Sequence, residues 1–217
     1  MDAVAQVKSF HPWVSIWIKP RETIRCIVST DPTRQVILLA ALGGIAQSLD
    51  RAASEYFGDK LSMPVLLIMI LALGPIGGVI SLYILGALFR WTGSWFGGDA
   101  TTEEVRAAIA WSNVPIIWAL LLWIPKLALF GEELFKSATP RMDANLLLII
   151  LLFIFGIVEL VIGIWTFIVF LKCLGEVHRF SVWKALGAVL VPSLVLIGIV
   201  FACVASINAY NFQLGLH

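Results

Sequence analysis

The chain has 217 residues, 60% of them hydrophobic and 13% charged, with a formal net charge of +1 and a mean hydropathy of +0.95. Soluble domains carry roughly 25% charged residues, so water cannot be the solvent for most of this chain, and lipid must be. So small a net charge also excludes a general electrostatic attraction to nucleic acid.

Residues 1–33 form an N-terminal segment ahead of the first long apolar run, with no signal-peptide pattern of an apolar stretch followed by a small-residue cleavage site. Within it Trp13, Ile16 and Trp17 recur at helical spacing, as do Ile24, Ile27 and Val28 after Pro20, with Lys19, Arg21 and Arg25 as a basic counter-face. This predicts one or two short amphipathic helices, lying in the membrane interface or packed as a cap on the bundle. Both placements stay open at this point.

Five apolar stretches follow, near 34–57, 63–92, 104–128, 144–172 and 181–207, each reaching the ~20 residues needed to cross a ~30 Å hydrocarbon core. A short tail, 208–217, ends the chain. The expected fold is all-α, a polytopic bundle of five transmembrane helices over 34–207. Helix-start chemistry supports the boundaries: Asp31-Pro32, Ser62 before Pro64, a capping box from Thr101 to Glu104, Asp143, and Ser181. Lys8, Lys19, Arg21, Arg25, Arg34, Arg90, Arg106, Lys172, Arg179 and Lys184 fall on one side of the membrane. Lys60, Lys126, Lys136 and Arg141 fall on the other. The positive-inside rule then places the N-terminus in the cytoplasm and the C-terminus outside. An ungapped offset of 77 residues aligns Gly86 with Gly163, Gly98 with Gly175 and Pro115 with Pro192, which would make two parallel two-helix units preceded by one extra helix.

Charges within the apolar runs are the candidate functional residues, since each costs ~2.5–3.5 kcal/mol at a helix centre on insertion scales. They are Asp50, Arg51 and Glu55 in the first helix and Glu159 in the fourth. Arg51 and Glu55 are spaced to pair along their helix. Glu159 must be protonated, paired or beside water, and Arg51 is a candidate partner at a depth difference of ~12 Å. With Asn113 and Ser112 these groups form either a transport relay or a polar seam that specifies helix packing. Gly74 and Pro75 within Leu73–Gly78, and Pro115, Pro125 and Pro192, are expected to kink helices or let backbones approach closely. No nucleophile elbow, zinc-binding helix motif or phosphate loop is present. Cys26, Cys173 and Cys203 are scattered, so neither a disulfide framework nor a metal site is implied, and no cofactor is expected.

The stretch Gly97–Pro115, GGDATTEEVRAAIAWSNVP, resembles the bacterial branch of the Yip-one domain family, named for eukaryotic proteins that interact with Ypt/Rab GTPases. Supporting pieces are LDRA at 49–52, LGPIGG at 73–78, ALFGEELF at 128–135 and IWTFIVFLKCLGEVHRFSVWKAL at 164–186, so the likeness covers about 13–205. Its motif falls on Gly97, Gly98, Thr101, Glu104, Arg106 and Trp111, on the expected cytoplasmic face. The resemblance implies five helices, a cytoplasmic N-terminus, a bacterial cytoplasmic membrane and a non-enzymatic role as a scaffold or accessory partner of membrane transport or trafficking machinery. It also implies that a membrane protein, or a second copy of the chain, is the partner. The Asp-Leu-Tyr-Gly-Pro segment of the eukaryotic members is missing, so a Rab-type GTPase partner is not expected. The alternative is a small transporter or lipid-handling protein using the intramembrane polar residues.

Overall fold

A computed structural model describes residues 11–213, with side chains of the last helix described through Val195 and at Ile197, Phe201 and Val204. Lys8, the Cys203 side chain and the end of the tail from residue 214 lie outside the described residues. The helices are α1 (Pro12–Ile18), α2 (Pro20–Thr30), α3 (Val36–Ser54), α4 (Met63–Trp95), α5 (Thr102–Ser112), α6 (Val114–Phe130), the short α7 (Pro140–Asp143), α8 (Leu146–Val177) and α9 (Val182–Gln213). Three units are single helices long and apolar enough to cross a membrane: α3, α4 and α8. A fourth, Thr102–Phe135, is built from α5, α6 and a 3₁₀ turn, and Val182–Val195 is a shorter apolar stretch that begins α9. The protein is an integral, multi-pass membrane helix bundle.

The third crossing is two helices because Pro115 has no N–H to give to the Trp111 carbonyl, and its ring clashes with that carbonyl in a continuous helix. The chain closes α5 with a tighter bond from the Asn113 N–H to the Ala110 carbonyl, then restarts with Pro115 in the first turn of α6. Pro115 is thus a helix starter, not a mid-span kink. Pro192 lies inside the unbroken α9, so the two prolines matched by the 77-residue offset sit in different settings. Pro75 and Pro125 also lie inside continuous helices, and Leu73–Gly78 neither breaks nor unwinds α4.

Two helix starts differ from expectation. Asp31 does not cap α3; its carboxylate accepts from the Thr33 N–H and hydroxyl at 2.9 and 2.7 Å, closing a turn after α2. Those bonds, the hydroxyl first, hold the Asp31 carboxyl below its usual range. The α3 start falls instead on Gln35, in a left-handed conformation. Asp143 ends α7, and Asn145 caps α8 by accepting from the Leu147 N–H at 3.0 Å. The Thr101–Glu104 capping box is present, with the Glu104 carboxylate accepting from the Thr101 N–H at 2.7 Å. The last helix runs to Gln213, past the expected end at 207.

The apolar stripe of α1 and α2 is spent on the bundle. Ile16, Ile24 and Ile27 are buried with Val105, Val169 and Leu174, and the Trp165 indole N–H donates to the Trp17 carbonyl at 3.2 Å. Val14 and Ile18 remain exposed beside them. At the opposite end, hereafter the loop end, 3₁₀ turns Phe57–Asp59 and Gly131–Phe135 seal a second, smaller core. There Phe135 stacks on Trp123 with ring centroids 5.8 Å apart. The Ser137 N–H donates to the Asp59 carboxylate, and Glu133 accepts from the Arg141 and Met142 N–H groups.

Candidate functional site

The sequence-selected charges resolve into two ion pairs and one lone carboxylate. Arg51 Nε donates to Glu55 Oε1 at 2.9 Å, an exposed i, i+4 pair at the end of α3, as its spacing predicts. Glu159 does not pair with Arg51. Its partner is Lys126, whose Nζ donates to Glu159 Oε1 at 2.6 Å from inside α6. The Lys126 side chain is only 8% exposed and that of Glu159 29%. The ammonium also lies 4.2 Å from the centroid of the buried Trp123 ring, a cation–π contact. Lys126 falls within the expected span 104–128, yet near the end of that span it counts with the basic residues of the outer side. The signal available was its position one helical turn short of Phe130, on the apolar run's own register.

Asp50 has no hydrogen-bond or ion-pair partner among the described residues. It lines a cavity of about 200 Å³ with Glu159, Trp123 and Gly163. It also lines a larger one, about 500 Å³, between α3, α4, α5 and α8. Gln47, Ser81, Ser112, Asn113 and Thr166 contribute the other polar groups of the larger cavity. Asn113 reaches it because the α5–α6 break turns its side chain onto Gly43, where a β-carbon would come within 3.4 Å of Asn113 Nδ2. The seam therefore gathers Asp50, Asn113, Lys126 and Glu159, while Arg51 and Glu55 stay outside it.

The family motif serves the other end of the bundle. Gly97 takes a positive φ of 81° that a side chain would strain, closing the turn after α4. Gly98 and Gly93 leave room for His178, which follows α8; a β-carbon on Gly98 would lie 2.8 Å from His178 Cγ. Arg106 covers the Tyr83 ring at 4.0 Å and packs on Gly86, with its Nε buried and unpartnered. Trp111 is not on a face at all. It is 1% exposed, edge-on to Trp13 at 6.1 Å between centroids. Around these residues the two turns and α2 are stitched together. Arg25 pairs with Glu176 at 2.6 Å, Arg179 with Asp99 at 2.9 Å, and Lys184 Nζ donates to the Phe96 carbonyl at 3.2 Å.

His178 is 1% exposed, stacked on Phe180, and closes no hydrogen bond through either ring nitrogen. Burial holds its pKa below the ordinary value of 6.5, and the nearby Phe89 carbonyl, Asp99 and Glu104 only partly offset it. The folded protein binds this proton less readily than the unfolded chain, so the native state loses stability as pH falls below about 6.5 and loses no more once the folded pKa is passed. Unfolding followed between pH 8 and 5 should show that decline, and His178→Gln should flatten it.

Among the described residues no group of three His, Cys, Asp or Glu side chains is placed to hold a metal ion. Cys26 and Cys173 are free, and the buried Cys173 thiol lies against the Pro20 carbonyl. No curated protein and no solved structure matches the chain. A family model, the Yip1 domain, matches residues 14–204, which takes in the N-terminal helix pair, the stitched turns and every crossing down to the last. The chain belongs to the Yip1 domain family.

Proposed function

We propose that this protein is a non-enzymatic membrane scaffold or accessory partner, presenting the stitched end of its bundle to a second membrane protein. The observation that carries the reading is the fusion of α2 and both interhelical turns into one body through the Arg25–Glu176 and Arg179–Asp99 pairs. Such cross-linking suits a surface that must hold its shape, and it leaves Trp91, Trp95 and Trp183 exposed around the rim. Tryptophans in that position suit the headgroup layer and the edge of a protein contact equally. With Lys126 withdrawn into α6 and Arg106 into α5, the loop end keeps Lys60, Lys136 and Arg141 and the stitched end still holds the larger share of basic residues, which supports a cytoplasmic stitched end. A bacterial cytoplasmic membrane is the proposed setting.

The test is site-specific photo-crosslinking in native membranes, with the probe at Trp183 or at Arg90 and, as control, at the exposed lipid-facing Ile157. The scaffold reading expects one discrete protein adduct from the first two positions and none from the third. Adducts of equal intensity from all three, or lipid adducts alone, would defeat it. A second reading, a small transporter or lipid-handling protein, draws on the two cavities that Asp50 lines, one of them beside Glu159, and would show as substrate flux in liposomes that Glu159→Gln abolishes.

A further inference from the structure

The larger cavity is a slot with two chemical ends. Toward the stitched end of the bundle α4 and α8 meet at Phe89 and Phe170, ring centroids 5.5 Å apart. From there toward Asp50 the slot runs between them, with exposed Leu85 and Phe167 among its lining. Its volume, about 500 Å³, falls in the roughly 300–1,000 Å³ range of small-molecule sites.

Gln47, Ser81 and Asn113 bring donors and acceptors to the lining, but two of its hydroxyls are acceptors only. The Ser112 hydroxyl spends its proton on the Ile109 carbonyl and the Thr166 hydroxyl on the Ile162 carbonyl, both at 2.8 Å, so each can only accept within the slot. Among the described residues, Asp50 is the one ionisable residue of the lining. Lys126 makes no bond to it, its short bond going to Glu159 instead. The Asp50 carboxyl is therefore left without a partner cation among the described residues, and lipid supplies none, so it can hold a charge only beside a bound cation or water.

We propose that the slot binds an amphiphile with a cationic amine head, the head paired with Asp50 and the chain lying along the apolar walls between α4 and α8. A carboxyl without a partner, flanked by hydroxyls that can only accept, favours a donor cation, and lips of Leu and Phe favour entry of an alkyl chain from lipid. The proposal stands apart from the partner-binding reading and survives its failure.

The experiment uses the full chain in non-ionic maltoside micelles, with dodecylamine as probe and dodecanol and dodecanoate as chain-matched controls. Thermal unfolding is followed by tryptophan fluorescence. Dodecylamine should raise Tm in a saturable way, and neither control should. Asp50→Asn should weaken the apparent Kd for dodecylamine by about tenfold or more, the loss expected when one member of an interacting charge pair is removed. Should Asp50→Asn fail to fold, Gly163→Leu decides. Gly163 lines the slot and a β-carbon there meets nothing within 4 Å, so the larger side chain can be housed while it takes up the space of the chain. Equal shifts with all three probes, non-saturable binding, or wild-type affinity in Gly163→Leu would each overturn the proposal.

Discussion

Replacing Lys126 by methionine should lower the stability of the purified protein by about 3–5 kcal/mol, the range for removing one member of a buried ion pair. The reason is local. Glu159 sits in a helix whose apolar run from Leu146 to Phe170 contains no other charge, and Lys126 is its only partner among the described residues. Methionine keeps most of the volume of the lysine stem against Trp123 and removes the ammonium, so the loss reports charge and not packing. The double variant Lys126→Met with Glu159→Gln should regain most of it, since both charges are then gone. Unfolding in mixed micelles with rising dodecyl sulfate, read by fluorescence, measures the cycle. If the two single losses simply add, the pair is not coupled and this account of the seam is wrong.

Gly78→Ala should cost about 3 kcal/mol, at the top of the overpacking range, while Gly77→Ala next to it should change almost nothing. On α3, Ala40 and Gly44 are one turn apart and face Gly74 and Gly78 on α4. A β-carbon on Gly78 would lie 2.8 Å from Gly44 Cα, and one on Gly44 would lie 2.8 Å from Gly78 Cα. In lipid such backbone contact between small residues is a main source of helix association, because apolar side chains gain nothing by leaving an apolar solvent. A β-carbon on Gly77 meets nothing within 4 Å. Equal losses at the two positions would show that α3 and α4 do not meet through this stripe.

The membrane class and the approximate number of crossings were legible because hydropathy is a property of composition over a window of about 20 residues and needs no tertiary information. The capping box at Thr101 was legible for a similar reason: both of its bonds close within four residues. The start of α3 was misread because Asp31 is equally good at closing a turn with Thr33, and only the path of the chain onto the bundle selects between the two. The pairing of Glu159 was misread for a deeper reason. The bond to Lys126 spans 33 residues and depends on how α6 and α8 cross, which one-dimensional spacing does not contain.

Trp111 and His178 illustrate the same division. Within the run Gly97–Pro115, Trp111 belongs to the motif expected on the cytoplasmic face, yet it is buried against Trp13, a residue 98 positions earlier. His178 lies in the family-like run 164–186, but its burial against Gly93 and Gly98 depends on how α4 and α8 meet and is not contained in that run.

By itself, then, the order of residues determined where hydrocarbon replaces water, which stretches are helical, and that a few charges must be answered inside the bundle, because each of these follows from local transfer and hydrogen-bond energies. Only the tertiary structure decided which charge answers which, that Asp50 is left over, and that a slot opens beside it. Those outcomes depend on the crossing of helices, and the crossing is set by small residues and a single proline acting between segments far apart in the chain.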